Sequence, residues 1–190
     1  MILSVEHLLS VARNYWPSDA NWWMDAENSP ELQRFQALWR QEMEKMDQWR
    51  AFIRELGRQL PDFTMGNITT PRDACFRCGA YPNFIRKPYS LRWVVVGCVS
   101  ILAPVYTIYG AQFEYNGEKR IRDTVFYEPL PPELQAPAEV MARHIEATFG
   151  VSKLPREVAE TPIPLFVEPM APPHTTLFHA LFISQPDRVP

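Results

Sequence analysis

Glycine is scarce in this chain, with 7 residues among 190. Dinucleotide-binding and P-loop folds bring backbone amides onto phosphate groups through glycine-rich loops, and no segment here has that pattern. No serine occupies a G-x-S-x-G turn, and the four histidines lack a metal-binding spacing such as HExxH. These absences exclude the common hydrolase and nucleotide-binding signatures. They favour a protein that has no catalytic activity and needs no cofactor.

Cysteine and long apolar runs are also lacking. The three cysteines are an odd number, which argues against a disulfide framework. The most apolar run, from Trp93 to Leu102, is far shorter than the roughly 20 residues that cross a bilayer. The N-terminal segment has no basic stretch of the kind that opens a signal peptide, and it carries Glu6 and His7 among its apolar residues. We therefore expect a cytoplasmic protein with no membrane partner.

Charge is modest, with 19 lysines and arginines against 22 acids and a net charge of −3. Non-specific nucleic-acid binding usually needs a strongly basic domain, so nucleic acid is not an expected partner. Hydrophobic residues, in contrast, make up 46% of the chain and aromatic residues 13%, enough for a sizeable core. The 19 prolines lie mostly in the second half, between apolar runs, where they predict stiff connections between short elements.

The clearest secondary-structure pattern covers residues 29–60. Ser29, Pro30 and Glu31 are typical of an N-cap, a proline at the first helical position and an acid in the first turn. Apolar residues then follow at steps of one, three or four until a proline ends the pattern. The pattern predicts one amphipathic helix over 30–59, about 45 Å long at 1.5 Å per residue.

The whole pattern indicates a single α+β domain over 1–190: N-terminal helices including one long amphipathic helix, an antiparallel meander of three strands, a further helix and two C-terminal strands. Its helical part is 1–62, with a short helix over 5–14. Its middle, 63–90, is predicted to be an irregular connection with at most a short strand near 74–80. Its last part, 91–185, contains the sheet, with a helix over 137–149 and strands over 163–168 and 175–184. The final residues, 186–190, are expected to fray.

The three strands of the meander are predicted over 91–102, 104–115 and 119–128. Asn116-Gly117 is the strongest short hairpin signal that a sequence offers, and it predicts a two-residue loop. Such a loop pairs Glu114 with Lys119, two residues of opposite charge.

One face of this hairpin is predicted to combine arginines with aromatic rings. We call it the basic–aromatic face, and its residues are Tyr109, Phe113, Arg120, Arg122 and Phe126. It has the chemistry to bind a small anionic ligand or to serve an enzyme. The alternative is that another element covers the rings while the arginine stems lie at the rim.

Cys75 and Cys78 form the single C-x-x-C motif of the sequence. A tetrahedral zinc ion takes four ligands, and no second pair follows at zinc-ribbon spacing. The motif therefore predicts two ordinary cysteines near the core. A zinc-stabilised interaction module built on this pair is the alternative.

A polar segment over 17–29 carries two adjacent tryptophans among acidic residues. Tryptophan is enriched at interface hot spots, and acids suit a basic partner. The predicted partner-binding surface consists of Trp22, Trp23, Asp25, Glu27 and Glu31. The alternative is that one of the two tryptophans closes the end of the core.

In general character the chain resembles the immunity proteins that neutralise bacterial polymorphic toxins, which are commonly acidic single domains with mixed α+β folds and no catalytic residues. The features that carry this resemblance are the helix over 29–60, the meander closed by Asn116-Gly117 and the proline-rich final strands. The resemblance implies a bacterial cytoplasmic protein that occludes the active surface of a cognate, basic protein toxin. Three hypotheses result: toxin inhibition, binding or turnover of an anion on the basic–aromatic face, and a zinc-stabilised module.

Overall fold

A computed structural model of the protein describes residues 3–83 and 91–189, apart from the side chains of Asp25 and Glu27. The α-helices are α1 (Val5–Ala12), α2 (Pro30–Glu42), α3 (Met46–Gln59), α4 (Pro132–Phe149), α5 (Arg156–Ala159) and α6 (Leu177–Leu181). The strands are β1 (Phe63–Asn67), β2 (Cys75–Pro82), β3 (Leu91–Ser100), β4 (Val105–Asn116), β5 (Lys119–Phe126) and β6 (Ser152–Lys153). Within the described ranges, no helix is both long enough and apolar enough to cross a membrane.

The long N-terminal helix is confirmed, with one irregular turn. Helices α2 and α3 are joined by a 3-10 turn over Met43–Lys45, so the helical path extends from Pro30 to Gln59. Ser29 caps its start, because the Ser29 hydroxyl accepts the Leu32 N–H at 3.4 Å. The predicted apolar stripe lies on the buried side of this helix except at Met43, which falls in the 3-10 turn and is 45% exposed.

The segment over 63–90 was predicted to be an irregular connection with a possible short strand near 74–80; β2 confirms that strand, whereas β1 was not predicted. Strands β1 and β2 lie there, in a sheet of order β1-β2-β3-β4-β5, all antiparallel, with β6 added parallel to β4. Six consecutive residues of β2, from Cys75 to Ala80, are buried. A strand covered on both faces shows no alternation of polar and apolar residues, which is why its sequence gave little signal.

The β4–β5 hairpin is confirmed, but its predicted register is wrong. The two loop residues are Gly117 and Glu118, with Gly117 at a φ of 63°, a conformation that glycine adopts at little cost. Asn116 therefore pairs with Lys119, and a bulge between Glu114 and Tyr115 shifts the register again. Glu114 faces Arg122 instead of Lys119, so an opposite-charge pair is kept with a different partner.

The two faces of the sheet are covered by different parts of the chain. Helices α3 and α4 cover one face: Trp49 packs on Phe76 with ring centroids 5.4 Å apart. Tyr109, on the opposite face, packs edge-on against Phe178 of α6 at 6.2 Å. The C-terminal segment, together with α1, covers this second face, and the Trp16 Nε1–H after α1 donates to the Ala180 carbonyl at 2.8 Å.

The two strands predicted over 163–168 and 175–184 are not present. Isolated bridges join Pro162 to Thr176 and Val167 to Met170, and α6 replaces the second strand. Thr176 begins α6 in a capping box, in which the His179 ring accepts the Thr176 N–H at 3.0 Å. The predicted fraying of the tail is also wrong for its described part, since Val189 is only 4% exposed.

The fourth helix begins earlier than predicted. It starts at Pro132, five residues before Pro137, and Pro137 lies inside it. Either proline suits the first turn of a helix, so the sequence alone does not choose between the two starts. Its predicted end is confirmed, because Gly150 caps the helix in the left-handed conformation at a φ of 65°.

Candidate functional site

The predicted partner-binding surface contains an exposed apolar ridge. Trp22–Asn28 is a 3-10 helix, and on it Trp23 is 66% exposed and Met24 71% exposed. We call these two residues the Trp–Met ridge. Among the described residues, the other exposed large apolar side chains are Met43 and Ile121, which are 45% and 58% exposed. Among these four exposed apolar residues, Trp23 and Met24 are the two that are adjacent in sequence.

The other residues predicted for this surface have different positions. Trp22 is half-buried and lines a cleft beside the ridge. Glu31 accepts a hydrogen bond from the Ser29 hydroxyl at 3.0 Å and pairs with Arg34 at 3.4 Å, so it stabilises the start of α2. The side chains of Asp25 and Glu27 lie outside the described part of the protein. The structure thus places Trp22 at the cleft and Trp23 on the ridge, and it gives Glu31 a structural role.

The cleft beside the ridge has a volume of about 800 Å³. Its walls include Trp16, Trp22 and Phe35. Arginines from two distant parts of the chain also line it, and we call it the arginine cleft; they are Arg72 and Arg77 from the β1–β2 region and Arg188 from the C-terminal segment. Two acids, Asp73 and Glu168, complete its charged groups.

At this cleft, Arg77 is a buried cation. It is 4% exposed, and its Nε–H donates to the Ile68 carbonyl at 3.1 Å while Nη1 donates to the Arg188 carbonyl at 3.4 Å. Its Nη2 lies 3.6 Å from Asp73 Oδ2, which is beyond hydrogen-bond distance. Burial raises the pKa of Asp73 to about 6, and the nearby Arg77 charge opposes that rise. Asp73 Oδ2 has no hydrogen-bond partner among the described residues.

On the basic–aromatic face the rings of Tyr109 and Phe113 are covered, which corresponds to the alternative in which another element lies over them. Tyr109 is fully buried and packs against Phe178 of α6, and Phe113 is 4% exposed. Arg120 and Phe113 lie on the same face of the hairpin, as predicted. The Arg120 guanidinium carbon is 3.8 Å from the centroid of the Phe113 ring. Arg120 also donates to the Asp187 carbonyl at 2.6 Å, so it holds the chain's own tail.

Arg122 and Phe126 lie on the other face of the hairpin, which corrects their predicted position. Arg122 pairs with Glu114, and Phe126 pairs with Gly110 and stacks on Trp93 with ring centroids 5.6 Å apart. The cause is the pairing register of β4 and β5. Beyond the bulge this register differs from the predicted one by an odd number of residues, and such a shift moves each side chain of β5 to the opposite face of the sheet.

The cysteine pair does not converge on one point. Cys75 and Cys78 are three residues apart in β2, so they point to opposite faces of the sheet. Both thiols are fully buried, and burial raises the pKa of Cys78 to about 12. Among residues 3–83 and 91–189, no three His, Cys, Asp or Glu side chains are grouped so as to hold a metal ion.

A second, smaller cavity of about 210 Å³ lies beside α6 and is lined in part by Tyr127, Thr176 and His179. His179 Nδ1 accepts the Thr176 N–H, so the neutral ring carries its proton on Nε2. Burial lowers the pKa of His179. The histidine thus has a structural reason to be there, as the capping partner of α6.

Sequence reasoning missed the charged residues of the arginine cleft. One signal was present: Arg77 interrupts the otherwise apolar start of β2, and a cation between buried positions needs a partner inside the protein. Arg72 and Arg188 carried no such signal, because their proximity arises from the return of the C-terminal segment across the sheet. No family model matches this chain, and no curated protein or solved structure matches it at a significant level.

Proposed function

We propose that this protein binds a partner protein through the Trp–Met ridge and thereby neutralises a bacterial toxin by covering its active surface. The observation that carries the proposal is the exposure of two adjacent large apolar side chains, 66% for Trp23 and 71% for Met24. An exposed tryptophan beside an exposed methionine has the composition of an interface core, where aromatic residues and methionine are enriched.

The ridge is held in a fixed position, which favours tight binding. The Trp22 N–H donates to the Asp19 carbonyl at 3.2 Å, the Met24 N–H donates to the Asn21 carbonyl at 2.9 Å, and Asp19 Oδ1 accepts the Asn21 N–H at 2.9 Å. A partner would therefore meet a folded 3-10 helix and would not have to order a loose loop. Pre-organisation of this kind lowers the entropic cost of association.

The charge of the protein bears on the kind of partner that it would inhibit. Glu31, one of the acids predicted for this surface, is engaged with Ser29 and Arg34. The acidic balance of the whole chain, a net charge of −3, favours a basic partner. In this proposal the protein acts in the bacterial cytoplasm, where it meets an incoming or newly made toxin.

The test is a binding measurement with the protein encoded beside this gene. We expect nanomolar affinity by calorimetry, and we expect Trp23→Ala/Met24→Ala to weaken it by at least about 100-fold, since hot-spot truncations cost about 2 kcal/mol or more each. The matched control is Met43→Ala/Ile121→Ala, which removes two other exposed apolar side chains. Undiminished affinity in the ridge variant would remove the proposed surface.

A further inference from the structure

The arginine cleft contains more positive than negative side chains. Arg72, Arg77 and Arg188 line it, against Asp73 and Glu168. Arg77 and Asp73 face each other at 3.6 Å and balance each other at the floor. Arg72 and Arg188 are exposed, and neither guanidinium has a hydrogen-bond or ion-pair partner among the described residues. Two unengaged cations are thus left in one cleft with one remaining acid, Glu168.

The walls of the cleft are suited to more than a bare ion. Trp16 and Phe35 form a tilted aromatic pair with ring centroids 4.7 Å apart, and Trp22 lies on the same cleft. Its volume of about 800 Å³ is within the range of sites for small organic molecules, about 300–1,000 Å³. A ligand that fills it can place an apolar ring against the aromatic side chains and an anionic group against the arginines.

We infer that the arginine cleft is a binding site for a small organic anion with an aromatic ring, whose carboxylate or phosphate is bound by Arg72 and Arg188. Guanidinium groups bind both kinds of anion in a two-pronged geometry, so they do not by themselves choose between carboxylate and phosphate. Arg77 is a positioning residue here: its Nη1 holds the Arg188 carbonyl at 3.4 Å and so fixes the C-terminal segment at the cleft.

This site is separate from the proposed partner surface, although Trp22 lies between them. Trp23 and Met24 form the ridge, and neither lines the arginine cleft. Variants of Arg72 and Arg188 therefore leave the ridge intact, and variants of the ridge leave the arginines intact. Failure of one inference is measured independently of failure of the other.

The experiment uses calorimetry on the whole chain with three probes. Adenosine 5′-monophosphate represents a phosphate with an aromatic ring, indole-3-acetate a carboxylate with an aromatic ring, and inorganic phosphate the bare anion. We expect at least one of the two aromatic anions to bind with submillimolar Kd and inorganic phosphate to bind at least tenfold more weakly. The tighter of the two aromatic probes identifies the anionic group.

The decisive comparison is Arg72→Gln/Arg188→Gln against Arg54→Gln/Arg143→Gln. Both pairs are exposed and both changes remove two positive charges, but Arg54 and Arg143 are on α3 and α4 and do not line the cleft. We expect at least a tenfold loss of affinity in the first pair and none in the second, with unchanged thermal unfolding in both. Equal loss in the two pairs, no binding of either aromatic probe, or inorganic phosphate binding as tightly as they do would overturn the inference.

Discussion

The guanidinium carbon of Arg120 lies 3.8 Å from the centroid of the Phe113 ring, and the same guanidinium donates to the carbonyls of Asp187 and Val189 at 2.6 and 3.4 Å. It also pairs with Asp123. One side chain of β5 thus joins the central hairpin to the last residues of the described chain. Arg77 does the same from β2 through the Arg188 carbonyl. The C-terminal segment is therefore attached to the sheet by two arginines that sequence reasoning did not connect with it.

Arg120→Ala is predicted to loosen this attachment. The change removes two hydrogen bonds to main-chain carbonyls, the pair with Asp123 and the contact with Phe113, which together are worth about 2 kcal/mol of unfolding free energy. Chemical denaturation measures the loss, and amide exchange is expected to rise at Arg188 and Val189. Arg122→Ala is the control: Arg122 is 70% exposed, its pair with Glu114 spans 4.0 Å, and we expect less than about 0.5 kcal/mol. Equal effects of the two changes would contradict the assigned roles.

The long helix was the part of the fold that the sequence specified best. Its signals are local: Ser29 and Pro30 at one end, a continuous apolar stripe, and Pro61 at the other end. The end of α4 was predictable for the same reason. Gly150 caps this helix in the left-handed conformation, and the need for glycine at such a position is local. Both of these features are decided within one or two turns of chain.

Some of the features that were missed depend on contacts between distant segments, whereas the β4–β5 register and the start of α6 were missed although they are decided locally. Strand β2 is buried on both faces, so no alternation marked it. The run 175–184 is apolar on every side, and a buried short helix and a buried strand share that pattern; the Thr176–His179 capping box decided for α6. The arginine cleft forms where Arg72 and Arg188 meet, 116 positions apart in sequence, and no local pattern encodes that proximity.

Asp73 is predicted to give the stability of the protein a measurable pH dependence. Burial raises its pKa to about 6 from 3.8, so the folded protein keeps a proton that the unfolded chain releases between those values. The contribution to stability is fully present below about pH 4 and is lost as the pH rises through about 6. We expect the unfolding free energy of the wild type, relative to Asp73→Asn, to fall by about 2 kcal/mol from pH 4 to pH 7.

The control for Asp73→Asn is Asp47→Asn, since the Asp47 side chain is 94% exposed. The difference in unfolding free energy between Asp47→Asn and the wild type should stay nearly constant over the same pH range. Urea denaturation at several pH values measures both. If the difference in unfolding free energy between Asp73→Asn and the wild type does not change with pH, burial does not raise the pKa of the Asp73 carboxyl group.

His179 is predicted to act in the opposite direction. Burial lowers its pKa below 6.5, and Nδ1 must stay unprotonated to accept the Thr176 N–H at 3.0 Å. Its contribution to stability is present above pH 6.5 and declines as the pH falls below that value. Glutamine at the same position can close a capping box and does not titrate, so His179→Gln should lose less stability than the wild type between pH 7 and pH 5.

The exposed His174 serves as the control for the histidine experiment. We expect His174→Gln to keep the pH dependence of the wild type in thermal unfolding scans. If His179→Gln keeps it too, protonation of the α6 capping residue is not what weakens the fold in acid.

The thiols are predicted to be inert in the folded protein. Cys75, Cys78 and Cys98 are fully buried, and burial raises the pKa of Cys75 and of Cys78. A thiolate is the reactive form, so a disulfide reagent such as dithionitrobenzoate should label none of them until the protein is denatured, when it should label all three. Metal analysis of the same sample tests the zinc alternative. One zinc per chain, bound with the thiols protected, would contradict the description of two separate core cysteines.

The central claim, neutralisation of a toxin through the Trp–Met ridge, is tested most directly by growth of bacteria that express the toxin gene encoded beside this one. We predict that the wild-type protein restores growth, that Met43→Ala/Ile121→Ala restores it equally, and that Trp23→Ala/Met24→Ala fails to do so at the same expression level. Failure of the wild type to protect, or full protection by the ridge variant, would contradict the account.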